Sequence, residues 1–224
     1  MSVATLANKT QLAPARVKPR LLYVGDVPIE ETYHGSLLLY RLLEGYSQKL
    51  TIIETGSQSH ASRRLPDATY LSTPLTNQRY LNTRFHPYVM SWYSLKSTRI
   101  SNDLVTVLTG VEFDCVLTVA HGVGWLTAAK IADSKRLPLH LAVHDDWPRV
   151  ANVPGVFRKW VNESFGRVYR QATSRMCVSP TMRARYLEQH GCDSHVVYPT
   201  RGANCVDVDG EIRRKDQPFT IAFA

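Results

Sequence analysis

No stretch of these 224 residues is apolar and uncharged for long enough to cross a bilayer as a helix, which leaves a soluble or peripheral protein as the expectation. The first twenty residues hold no sustained apolar run either. With Lys9, Arg16, Lys18 and Arg20 interleaved with Pro14 and Pro19, residues 1–19 read as a flexible basic tail and not as a secretory signal. Cysteine is scarce: Cys115, Cys177, Cys192 and Cys205 show neither the CxxC spacing of a zinc site nor the density of a disulfide scaffold. A reducing cytoplasm and no bound metal are therefore expected. The segment GDVPIEETYHG, residues 25–35, lacks the GxGxxG turn that a nicotinamide-binding enzyme needs after its first strand. There is no internal repeat, no low-complexity tract and no nucleic-acid-binding motif.

What is present is 44% hydrophobic residues and a net charge of +8. The first supplies a sizeable core for one large domain or two small ones. The second attracts phosphate, whether on a nucleotide or on an anionic membrane.

Strand and helix patterns alternate, which predicts an α/β fold: a Rossmann-like, open, twisted, mostly parallel sheet with helices on both faces. Strands are expected at 20–26 (RLLYVGD), 50–54 (LTIIE), 69–72, 114–120 (DCVLTVA), 138–143, 176–178 and 195–198 (HVVY). Between them, helical spacing appears from Ser36, a plausible N-cap, to Tyr46, and through most of 79–111 with Pro87 as an opener. It returns after Trp125, over Val156–Gln171, and from Ser179 and Pro180 to a stop at Gly191. The charged run DVDGEIRRKDQP reads as part of a linker over 202–218. Residues 219–224, FTIAFA, have the composition of a fresh core strand belonging to a further domain.

In an open α/β sheet ligands lie beyond the carboxyl ends of the strands, so polar residues released there are candidates for chemistry. The stretch LPLHLAVHDDWP (137–148) ends a buried strand in His144, Asp145 and Asp146. The aspartates can accept hydrogen bonds from ligand hydroxyls, act as a base, or cap the turn before Pro148. As a metal pair they are weak, because adjacent residues of a strand point apart. His121, ending the neighbouring strand, and Asp26, ending the first, open toward the same crevice by the same logic. His34 and Gly35 follow the first strand, and a glycine there lets backbone N–H groups approach an anion at the start of the next helix. The 156–171 segment pairs Phe157, Trp160, Val161, Phe165 and Val168 with Arg158, Lys159, Arg167 and Arg170. It reads either as a helix packed on the sheet or as a membrane-surface helix. Arg79, Arg84, Lys96 and Arg99 raise the same alternative.

Several landmarks fall in an ordered set: His34-Gly35-Ser36, Ala120-His121-Gly122, Val143-His144-Asp145, Tyr169-Arg170-Gln171-Ala172, Cys177-Val178-Ser179-Pro180 with Met182, and Tyr198-Pro199. Over residues 20–201 this order resembles the amino-terminal, acceptor-side half of a GT-B glycosyltransferase of the retaining, family 4-like group. Two departures are Thr173, where that group often has aspartate, and His34-Gly35, where it often has a double glycine.

The resemblance implies a hexosyltransferase of carbohydrate biosynthesis that moves a sugar from a nucleotide-diphosphate donor to a carbohydrate or lipid-linked acceptor. It would use no cofactor beyond that co-substrate, in the cytoplasm or peripherally at the inner face of the membrane. It implies that His144 is catalytic, sitting at the reacting sugar. Asp145, Asp146, His121 and Asp26 would bind acceptor, and Gly35 and His34 the donor. It also implies that most of the donor site lies in a carboxyl-terminal domain, so that this chain is a half-enzyme. The alternative is a non-catalytic carbohydrate- or partner-binding module that keeps the crevice without turnover.

Overall fold

The computed structural model describes residues 18–31, 34–56, 64–73 and 83–198, with backbone alone at residue 34. The expected tail as far as residue 17, the linker at 202–218, the strand at 219–224, Arg79 and Cys205 lie outside these residues. Seven strands form one sheet in the order β3-β2-β1-β4-β5-β6-β7. They are β1 (Leu21–Gly25), β2 (Leu50–Glu54), β3 (Ala68–Ser72), β4 (Cys115–Val119), β5 (Leu139–Val143), β6 (Ser174–Cys177) and β7 (His195–Val196). Every pairing is parallel. Parallel strands need both faces covered, and β1 and β2 are buried along their whole length.

The helices are α1 (His34–Leu43), α2 (His86–Val107), α3 (Gly124–Lys135), α4 (Trp147–Val150), α5 (Gly155–Gln171) and α6 (Pro180–His190). On one face α1 packs Leu39 and Leu43 against Tyr23, Ile52, Val119 and Ala142. On the other, α2, α3, α5 and α6 bury Leu104, Ile131, Phe165 and Tyr186 against Val24, Val116, Leu141 and Val143. The inward side of α2 is built from Met90, Ser94, Ser97, Ser101 and Leu104. Ser94, Ser97 and Ser101 donate their hydroxyls to carbonyls one turn back, which satisfies them internally and leaves a thin surface against α3. No helix among the described residues is long and apolar enough to cross a membrane.

The expected signals at α6 hold: Ser179 Oγ accepts from the Met182 N–H at 3.2 Å, Pro180 opens the helix, and Gly191 at φ +68° closes it. Two expectations are corrected. Ser36 does not cap α1, and His34-Gly35 is not a loop, because the helix opens at His34. Ser36 shares a helical face with Leu39 and Leu43, and that face is buried, so the serine lies under the helix and not at its end. The 156–171 helix follows the first of its two readings, packed within the domain: Val161, Phe165, Val168 and Tyr169 are buried, with Phe157 and Trp160 packed beside them.

Between β1 and β4 the strand order reverses, and a carboxylate ties the structure together there. Asp26 Oδ2 accepts the N–H groups of Val123 and Gly124, each at 2.5 Å, and Oδ1 accepts the Thr55 hydroxyl at 3.0 Å. The otherwise orphaned amides at the start of α3 thus meet a negative charge, which also suits the helix dipole. A Cβ added at Gly124 would come 2.9 Å from Gly25 Cα and 3.0 Å from the Asp26 nitrogen, backbone atoms with no room to turn aside. Gly124→Ala should therefore lower stability by about 1–3 kcal/mol, read as a lower urea midpoint at unchanged slope. Gly155→Ala, where an added Cβ meets nothing within 4 Å, is the control expected to stay put.

Candidate functional site at the strand ends

Val119 of β4 lies beside Ala142 of β5, and His121 and His144 follow these two strand ends closely enough to interact electrostatically. The backbone then turns at Gly122, whose φ of +55° is left-handed and whose missing Cβ leaves space for the Asp26 carboxyl. His121 is exposed, its ring centroid 5.0 Å from that of Trp147 at a 46° tilt. His144 is half-buried and borders a pocket of about 160 Å³ between α1 and the ends of β5 and β6. Leu38, Leu42, Leu117, Ala142, Met176 and Val197 are among its walls, and among the described residues lining it His144 is the one whose side chain hydrogen-bonds strongly.

The remaining candidates separate. Asp145 is exposed next to His144. Asp146 turns toward α6: Tyr186 donates to its Oδ1 at 3.1 Å, and Arg185 Nη1 lies 2.9 Å from Oδ2. It stands at the N-cap position of α4 without capping it. Asp26 is likewise engaged, by α3 and Thr55. The structure thus brings His121, His144 and Asp145 together, and gives Asp146 and Asp26 partners within the fold. Gly35 lies exposed in the first turn of α1, where an added Cβ would meet only Val27 Cγ1, at 3.8 Å. Packing within the domain does not require glycine there.

Burial pushes the His144 imidazole below the usual histidine range; the Asp145 charge opposes this, and His121 adds to it. The ring is neutral at neutral pH and can accept a proton or a hydrogen bond. Burial raises Asp26, against the bonds from Gly124, Thr55 and Val123. Glu54, at the end of β2, was not among the sequence candidates. It is buried, raised by that burial, and paired with Arg64 at 3.0 Å. Its place at the end of the apolar run LTIIE was the available signal. Among the described residues no group of three or more His, Cys, Asp or Glu side chains converges as metal ligands.

The sequence profile of Glycosyltransferase Family 4 matches residues 39–201, most of the chain. The chain belongs to Glycosyltransferase Family 4. Solved structures agree on the fold. UGT73P12 of Glycyrrhiza uralensis, complexed with glycyrrhetinic acid 3-O-monoglucuronide, superposes with a TM-score of 0.54 at 11% identity, over 82% of this chain and 49% of that one. UGT89C1 of Arabidopsis thaliana, complexed with UDP, gives 0.53 at 14% identity, over 85% and 51%. A UDP-glucosyltransferase from Polygonum tinctorium gives 0.52 at 11%, over 89% and 56%. These are GT-B folds, and the family 4 chain spans about half their length. No curated protein sequence matches it.

His140, bonded to Ser174 Oγ at 2.7 Å, and His190 are, like His144, held below the ordinary value of 6.5 by burial. The unfolded chain therefore takes up protons before the folded one as pH falls, and the family 4 domain should lose stability below about pH 6.5 and hold it above. Asp26 and Glu54, raised by burial, act in the opposite sense in the carboxylate range further down. Urea midpoints at pH 7.5 and 5.5 check this. His140→Gln should reduce the difference between them.

Proposed function

We propose that this chain is the acceptor-side half of a hexosyltransferase that moves a sugar from a nucleotide-diphosphate donor to a hydroxyl of its acceptor. The observation that carries the reading is His144, a neutral imidazole at the mouth of an apolar pocket just beyond the end of β5. A cavity of roughly 150 Å³ is enough for one benzene ring, so the pocket at about 160 Å³ suits a ring or short chain of a lipid-linked or aromatic acceptor. The acceptor's hydroxyl would then donate to His144, which orients it toward the sugar, while Asp145 accepts a neighbouring hydroxyl.

The donor's diphosphate needs positive charge. The amides at the start of α3 are already taken by Asp26. Among the described residues only Val27 comes within 4 Å of a Cβ placed on Gly35, and that turn of α1, with His34 in it, is where this half would touch the donor. The remaining donor contacts belong, in this reading, to a second domain. The reaction uses no metal or cofactor in addition to the nucleotide sugar, and its setting is the cytoplasm.

Two variants test the reading in a transfer assay on the protein that joins this domain to its donor-binding half. His144→Ala should cut turnover on the order of a hundredfold, the typical loss of one positioned hydrogen-bonding group, with a near-normal unfolding midpoint. A destabilised variant with unchanged turnover per folded molecule would remove His144 from the site. Gly35→Ala should leave the fold intact or stabilise it by up to about 1 kcal/mol, since glycine in a helix costs about that much, yet weaken donor binding. If it is stable and fully active, Gly35 does not touch the donor.

A further inference from the structure

Four of the large apolar side chains that stand in solvent among the described residues lie together. Phe85, just before α2, and Tyr88, Trp92 and Leu95, within its first three turns, are 52%, 66%, 57% and 56% exposed. Tyr88, Trp92, Leu95 and Arg99 recur at the spacing of a single helical face, opposite the buried Met90, Ser94, Ser97 and Ser101. Cations sit on the same face: Arg84 lies over the Phe85 ring at 5.0 Å and Lys96 over the Trp92 ring at 4.9 Å. From residue 83 to residue 102 there is no aspartate or glutamate, and the next is Asp103.

We infer that this face of α2 docks on the surface of an anionic lipid bilayer. An isolated apolar patch would fit many partners. A stripe of tyrosine, tryptophan and leucine edged by three cations, with no carboxylate in the same stretch of chain, is complementary to one: an interface whose outer layer is negative and whose inner layer is apolar. Tryptophan and tyrosine settle at the level of the headgroups, and lysine and arginine reach from the same depth to phosphate. The face is also well placed. The first half of α2 packs Met90 and Tyr93 against Val123, Ala151 and Val153, which follow the carboxyl ends of β4 and β5, so the docked surface adjoins the crevice of His121 and His144. An acceptor carried in the bilayer would meet the site without leaving the membrane. The docking surface itself stands independently of any transferase reaction.

The test is sedimentation of this chain with vesicles, with no sugar-transfer readout, so its failure and the failure of the proposed activity are separate events. Vesicles of phosphatidylglycerol and phosphatidylcholine should carry the chain down, vesicles of phosphatidylcholine alone should not, and high salt should release it. Lys96→Glu with Arg99→Glu should weaken binding by tenfold or more. Trp92→Glu with Leu95→Glu should abolish it. Val156→Glu, a substitution at a 94%-exposed valine on α5, should leave it unchanged. Circular dichroism and urea midpoints confirm that each variant is folded. Equal binding by the Trp92/Leu95 variant overturns the proposal, as does indifference to lipid charge. So does the finding that this face instead joins two copies of the chain, seen as a dimer in sedimentation that Trp92→Glu dissolves.

Discussion

The Asp26 carboxylate is the interaction on which the upper edge of this domain depends. It stands at the end of β1 yet receives its bonds from Thr55, 29 residues on, and from Val123 and Gly124, almost a hundred residues on. The ends of β1, β2 and β4 and the start of α3 therefore meet at one negative group. Gly122 is small because that group occupies the space its side chain would take, and Gly124 because Thr55 and the backbone of Gly25 and Asp26 close in on it. The turn that carries His121 hangs from this junction, and so does its distance from Trp147 and His144.

The junction also settles the electrostatics at the start of α3. A helix start in a crevice of this kind attracts anions. At α3 the attraction is spent on a carboxylate of the chain itself. The histidines are neutral groups: burial holds His144 uncharged at the edge of the apolar pocket, and holds His140 and His190 uncharged within the fold. A site with neutral donors and acceptors beside an apolar pocket is suited to binding hydroxyl groups on otherwise apolar molecules.

Much of this was legible in the sequence because it depends on neighbours in the chain. Ser179, Pro180 and Gly191 delimit α6 through contacts within four residues, and LTIIE and LHLAV are strands by composition alone. The strand-end position of His144 followed from the same local pattern. What escaped depends on residues far apart. Asp26 reads as a free strand-end carboxylate until β1 and β4 are known to be adjacent. Asp146 reads as an acceptor ligand until α6 brings Tyr186 and Arg185 against it. Ser36 has the chemistry of a cap, and only the continuation of the buried face back through it shows that the helix begins earlier. The aromatic residues of α5 and α2 are alike in composition, and only packing shows that the first set faces inward and the second outward.

The sheet divides the interior into two cores of unequal size, one under α1 and a larger one under α2, α3, α5 and α6. Substitutions on opposite sides of a sheet share few partners, and the energetic effects of separate sites tend to add. Leu39, Leu117, Ala142 and Met176, which shape the pocket beside His144, all belong to the smaller core. Changes at these four residues are thereby separated by the sheet from the larger core that holds the four helices in place. The pocket can thus change shape through mutation at these residues while the scaffold stays as it is.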